Sequence, residues 1–246
     1  MEKNNLEIAK TVWERASNQL ESFMKLKGEF LENDYVELVG DTSKLIGFAK
    51  KASALISQKK FEYFLKGFNS DSVPTEEQIE KLTNYINNEQ RAEFISDSFS
   101  KILLSKSTKA CLIMGILLNS IIEKDKDVSY KELVCFNALL NFYDDDINNF
   151  DHIFRFISIN SKRGFASLNG ATYNNYIINE NLDKVGVQLT IDKCMNFQIL
   201  SEYSDIDSSF DEDDISMSSV ELEKYHKVTD PGEMLFNLIS KLSNNP

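Results

Sequence analysis

The chain reads as a mainly α protein: a long N-terminal helix and a helical bundle, followed by a small C-terminal α+β module. Three observations predict this. Gly (9) and Pro (3) are scarce among 246 residues, so few positions interrupt a helix. Apolar residues recur at spacings of three and four through most of the first 145 residues, which is the signature of helices with one buried face. Beyond that point the wording shifts toward Asn, Ser and Asp, and a short alternating segment appears at Val220 and Leu222, the pattern of a strand. The expected division is a helical domain over 1–145 and an acidic module over 146–246.

The first helix is expected over 5–32. Leu6, Ala9, Trp13, Ala16, Leu20, Phe23 and Phe30 form a heptad stripe, broken only by Lys27. Such a stripe packs on its own domain or on another copy, and Leu6, Trp13, Leu20, Phe23 and Phe30 are the candidate oligomerisation residues. A second helix is expected from Thr42 to Phe68, with Leu45, Phe48, Ala52, Leu55, Phe61, Phe64 and Phe68 on one face and a set of lysines on the other. Thr75 and Gln78 have the spacing of a capping box. Helices over 89–105 and 108–123 follow, the latter carrying the apolar run ACLIMGILLNSII. That run is too short to span a bilayer and reads as a helix buried on all sides. Ser129 and Glu132 form another capping box, opening a helix with Leu133, Phe136, Leu139 and Leu140 inside.

In the C-terminal module, helices are expected over 147–159, 171–182 and 190–202, the last with Thr190 as N-cap. A loop occupies 160–170, and 204–219 reads as a mobile Ser- and Asp-rich segment. Thr229 or Asp230 caps the final helix, where Pro231 suits the first turn and Met234, Leu235, Leu238, Ile239 and Leu242 make one apolar face. The tail YHKVTDPGEMLFNLI resembles the end of winged-helix domains, in which a wing strand leads into Thr-x-x-Gly and an apolar terminal helix; Thr229, Gly232, Leu235 and Ile239 occupy those positions. The resemblance places the segment 190–202 in the recognition-helix slot. That segment offers Asn196 and Gln198 but a single cation, Lys193, against Asp192 and Glu202, whereas DNA-reading helices bring cations to phosphates. The expected use of the shape is therefore protein contact. The bundle over 44–150 also resembles uncharacterised helical proteins of bacteria and their phages, a likeness that carries no functional residue with it.

The formal net charge of −12 is unevenly spread: residues 1–128 carry 18 Lys and Arg against 20 Asp and Glu, and residues 129–246 carry 9 against 19. An acidic half repels nucleic acid and favours a basic partner. Asp205, Asp207, Asp211, Glu212, Asp213 and Asp214 are the candidate interaction residues there. A second acidic set, Asp144, Asp145, Asp146 and Asp151 beside His152, has hard-metal chemistry. It lacks the EF-hand glycine, since Asn149 stands at that position, and the simpler reading is a favourable acidic start to a helix. Only two histidines are present, and neither HExxH, GxSxG nor a phosphate-binding glycine loop occurs. Cys111, Cys135 and Cys194 are odd in number and far apart, which points to core thiols rather than a disulfide or zinc framework. The polar N-terminus MEKNNLEIAK has no apolar signal core; the expected compartment is the cytoplasm, with no membrane partner. Together these readings predict a non-catalytic interaction protein without cofactor or metal, an adaptor, inhibitor, immunity or anti-defence protein of a bacterium or phage, assembled as a homo-oligomer. The alternatives are a winged-helix DNA-binding regulator and a carboxylate-metal enzyme.

Overall fold

The computed structural model describes residues 59, 60, 63, 64, 66–68, 81, 84–161, 164–208 and 220–243. The stripe of Leu6, Trp13, Leu20, Phe23 and Phe30, the Thr75 capping box and most of the second expected helix lie outside them. The chain divides into two compact units, residues 1–129 with 139–141 and residues 130–138 with 142–246.

In the first unit, α1 (Glu89–Leu104) begins where the Asn88 side chain accepts from the Arg91 N–H at 2.8 Å, satisfying one of the donors a helix start leaves free. Ile95 and Ile102 are fully buried on its inner face. Arg91 is itself buried, its guanidinium 4.5 Å from the Tyr85 ring centroid and paired with Asp125 at 2.7 Å and Asp127 at 2.8 Å. These bonds tie α1 to the turn that ends α2 (Thr108–Glu123). Ser107 caps α2 by accepting from the Ala110 N–H at 2.8 Å. The apolar run gives α2 nine buried residues, from Ala110 to Ile122, while Leu112 and Ile116 are half-buried. α2 also passes close to the helical residues 63, 64 and 66–68. A Cβ at Gly115 would meet the Phe64 carbonyl oxygen, and one at Gly67 the Leu112 carbonyl oxygen, so only glycine permits this approach of two backbones.

The second unit takes most of α3 (Tyr130–Asn141), then α4 (Asp144–Asn160), α5 (Ala171–Asn179), α6 (Lys184–Asn196), β1 (Leu200–Ser208), β2 (Val220–Val228) and α7 (Asp230–Ser243). The apolar face of α4 buries Ile147, Phe150, Ile153, Phe156 and Ile157, each contributing roughly 1.5–3 kcal/mol of transfer free energy. α6 packs on this helix and buries Val187, Thr190, Ile191 and Cys194. The helix begins earlier than the sequence reading placed it: Asp183 is the N-cap, accepting from the Gly186 N–H at 2.9 Å. Thr190 is not a cap but a fully buried residue in mid-helix.

β1 and β2 pair antiparallel with Leu200 opposite Val228 and Ser208 opposite Val220. Two expectations are corrected here. Residues 204–208 belong to a strand rather than to a mobile segment. The stretch 160–170 is not only loop, because Ala166 exchanges both backbone hydrogen bonds with His226, at 3.0 and 2.8 Å. At the base of the hairpin Thr229 caps α7: its hydroxyl accepts from the Gly232 N–H at 3.2 Å and donates to the Gln198 carbonyl at 2.6 Å. A Cβ at Gly232 would collide with the Ile199 carbonyl oxygen and crowd Val228 Cγ1. The Thr-Asp-Pro-Gly sequence thus lets the start of α7 seat directly against the hairpin's root. Cys135 closes the other side, its thiol 3.2 Å from the Pro231 carbonyl oxygen.

Candidate protein-binding surface

α6 presents two contrasting faces. On its inner side a polar network sits inside the α4 contact. Asp146, 5% exposed, stands at the third position of α4. One carboxylate oxygen accepts from the Tyr143 N–H at 2.8 Å and from Lys193 Nζ at 2.5 Å. The other accepts from the Thr190 hydroxyl at 3.0 Å, and Asn149 donates to that hydroxyl at 3.1 Å. Lys193 also lies 4.6 Å from the centroid of the Tyr143 ring. The carboxylate is therefore held by a helix N-terminus, a hydroxyl and an ammonium, the set of partners that burial of a charge demands. Lys193, the cation expected in the recognition slot, is spent on this internal pair.

The outer face of α6 carries Val185 at 66% and Leu189 at 56% exposure, with Gln188, Asp192 and Asn196 also exposed. Gln188 donates to Asp192 at 3.1 Å. Lys184 is the one lysine on this side of the helix, at its first residue. Ile178, at the end of α5, is 73% exposed. Between α5 and α6 lies a cleft of about 130 Å³ whose walls include Leu168, Tyr173, Ile177, Val187 and Ile191. The Tyr173 hydroxyl is buried and has no hydrogen-bond partner among the described residues, and burial pushes its pKa up.

The hairpin adds charge. Its register sets Asp205 opposite Glu223 and Asp207 opposite Glu221. Residues 200–223 contain nine carboxylates and no Lys, Arg or His. Nearer the root, Glu202 is held by Lys224 at 3.1 Å, and Tyr203 is 53% exposed. His226, opposite Glu202, is buried; its Nδ1 has no partner among the described residues, and desolvation pulls its pKa down although Glu202, 3.8 Å from Nε2, opposes the shift. Of the candidate acidic residues, Asp205 and Asp207 thus stand in β1, and Asp211, Glu212, Asp213 and Asp214 fall outside the described residues.

The other acidic set is dispersed among separate structural duties. Asp144 and Asp145 lie in the first turn of α4, Asp151 pairs with Arg155 at 2.8 Å, and His152 Nδ1 is 3.2 Å from the Tyr176 hydroxyl. Among the described residues no group of three or more His, Cys, Asp or Glu side chains could hold a metal ion. All three cysteines are buried and none forms a disulfide; burial, reinforced by Glu132, pushes Cys135 up to about 12, which keeps it from acting as a thiolate near neutrality. No helix of the described residues is long and apolar enough to cross a membrane.

The sequence reading missed Val185 and Leu189 as outward-facing residues. The signal was present but ambiguous: Val185, Val187, Leu189 and Ile191 alternate, a two-residue period that a helix cannot bury on one side. Comparison with protein-family models, with curated proteins and with solved structures finds no match to this chain.

Proposed function

We propose that the C-terminal unit is a winged-helix-like module used for protein contact, in a non-catalytic interaction protein of adaptor or inhibitor type from a bacterium or phage, whose partner has a basic surface. The order α4, the Ala166 bridge, α5, α6, the β1–β2 hairpin and α7 supports the winged-helix reading. The observation that carries the protein-contact reading is the chemistry of α6. Its outer face exposes Val185 and Leu189 and bears Asp192, while Lys193 is committed to Asp146. Phosphate neutralisation needs free cations, and apolar exposed side chains at a groove-reading position are better suited to a protein surface. The acidic hairpin supports a basic partner by charge complementarity, which raises association rate and selects against wrong partners.

The test is a pair of titrations on the full chain at low salt, with labelled duplex DNA and with polylysine. The expected result is binding of polylysine that weakens as salt rises, and no binding of duplex. Duplex binding with a steep salt slope would instead establish a DNA-binding regulator. Assembly through the stripe of Leu6, Trp13, Leu20, Phe23 and Phe30 belongs to the same proposal. It predicts an oligomer by light scattering that Leu20→Asp converts to a monomer; an unchanged mass removes the stripe from the reading.

A further inference from the structure

We infer that the outer edge of β1 takes up an extended cationic segment of the partner protein as an added strand. The inference rests on the basic-partner reading and deepens it, because it names the contact and the sequence pattern that fits it.

The hydrogen-bonding pattern identifies the edge. His226 gives both its N–H and its C=O to Ala166, so its pair with Glu202 across the hairpin is of the non-hydrogen-bonded kind. In an antiparallel ladder the two kinds alternate. The register then assigns the cross-strand bonds to Ser201, Tyr203, Asp205 and Asp207. The backbone N–H and C=O groups of Glu202, Ser204, Ile206 and Ser208 point the other way, away from β2. Among the described residues the sheet has two strands, and β1 has no neighbour on that side, whereas the corresponding edge of β2 is already met by Ala166 at its root. A row of outward donors and acceptors is a template for another strand.

Charge decides which strand fits. Alternation along the register puts Asp205, Asp207, Glu221 and Glu223 on one face of the hairpin, and Ile206, Leu222 and Val220 at positions of the other. A second copy of β1 would bring the same carboxylates into register with these, and like charges directly opposite are destabilising. An incoming strand with Lys or Arg at every second residue reverses that sign. Its intervening residues fall on the face that carries Ser204, Ile206 and Ser208 in β1 and Leu222 and Val220 in β2, with Glu202 and Lys224 paired nearer the root, so they are uncharged and aliphatic. The occupant is thus a polypeptide of alternating cationic and aliphatic residues, read by main-chain bonds for affinity and by alternate side chains for specificity.

The experiment uses the full chain and three peptides with the same side chains in equal number: Lys and Val in alternation, the same residues in two blocks, and the alternating peptide methylated at every backbone nitrogen. Fluorescence anisotropy is expected to show the alternating peptide binding at least about tenfold tighter than the methylated control, the range main-chain pairing contributes when several bonds are lost together, and tighter than the block peptide, whose order breaks the alternation of charge that the register demands. The variant Ser204→Pro supplies an independent check. It removes one outward N–H without touching the β1–β2 bonds, in an edge position where proline is tolerated, and is expected to weaken the alternating peptide about fivefold while leaving the block peptide unchanged. If all three peptides bind alike, the attraction is that of any polyanion and the edge inference is overturned while the basic-partner reading survives. If none binds, both fall.

Discussion

Two acidic clusters in the C-terminal unit look alike in sequence and are handled in opposite ways by the fold. At the start of α4 the charge is absorbed: Asp144 and Asp145 sit in the first turn, and Asp146 is enclosed by Tyr143, Thr190 and Lys193. In the hairpin, the register sets Asp205 opposite Glu223 and Asp207 opposite Glu221, with no cation in the intervening sequence from 208 to 220. The first arrangement lowers the free energy of the fold, since helix N-termini favour negative charge and a buried carboxylate with several donors is compensated. The second raises it, by like-charge repulsion between opposed strands. Charge that stabilises needs no further role, whereas charge kept at a cost to stability has the form of a binding surface.

The largest effect expected from this contrast is at the absorbed cluster. Asp146→Ala takes the acceptor from the Tyr143 N–H and the counter-ion from Lys193, while the Thr190 hydroxyl keeps the Gly186 carbonyl at 2.9 Å. Lys193 is 29% exposed and recovers part of its hydration, so the loss falls at the lower end of that for breaking a buried pair, roughly 3 kcal/mol. Urea unfolding followed by circular dichroism measures it. A loss below about 1 kcal/mol would mean that the network does not distinguish the two clusters.

Next comes the hairpin's root. Gly232→Ala forces a methyl onto the Ile199 carbonyl oxygen and Val228. In most helices this exchange is favourable; here the overlap is expected to make it destabilising by about 2 kcal/mol. Unchanged or raised stability would show that α7 can back away from Ile199, and that the hairpin's position is not fixed by this contact.

Acid conditions probe the same root. His226 has a folded pKa below its ordinary 6.5, because it is buried; Glu202 acts against this and Lys224 with it. The unfolded chain therefore takes up the proton first. Stability is complete above about pH 6.5 and declines as the pH falls from there toward the folded pKa. His226→Gln is expected to flatten the urea midpoint between pH 7 and 5.5. A slope of unchanged size in that variant would assign the pH dependence to other groups.

Much of this fold was legible because its signals were local. Asn88 and Ser107 mark helix starts that the structure places within a residue of expectation, and the Thr-Asp-Pro-Gly turn announced both the cap and the last helix. What was hidden depended on partners distant in sequence. Thr190 has the residue type of a cap, but its hydroxyl serves Asp146, 44 positions away. Ala166 carries no strand signal of its own and becomes one only because His226 offers it an open edge. Asp205 and Asp207 sat in a composition typical of a loop, and pairing with β2 drew them into a strand. The candidate surface was readable as an excess of charge, but which carboxylates oppose one another is a matter of register, and register is set by the antiparallel partner rather than by local wording.

The smallest expected effect is also the one that separates a solubilising surface from a binding one. Glu223→Lys replaces the like-charge pair with Asp205 by an opposite one, and is expected to stabilise the protein by about 0.5 kcal/mol. The same reversal at the absorbed cluster, Asp144→Lys, places a cation at a helix N-terminus and is expected to destabilise by a similar amount. A gain at the hairpin alone would show that the natural residue there is held against stability, a common condition of residues that serve function. The gain should be accompanied by a loss of polylysine binding. If Glu223→Lys stabilises the protein and binding is undiminished, the hairpin's charge serves solubility, and the partner must be sought on the exposed apolar face of α6.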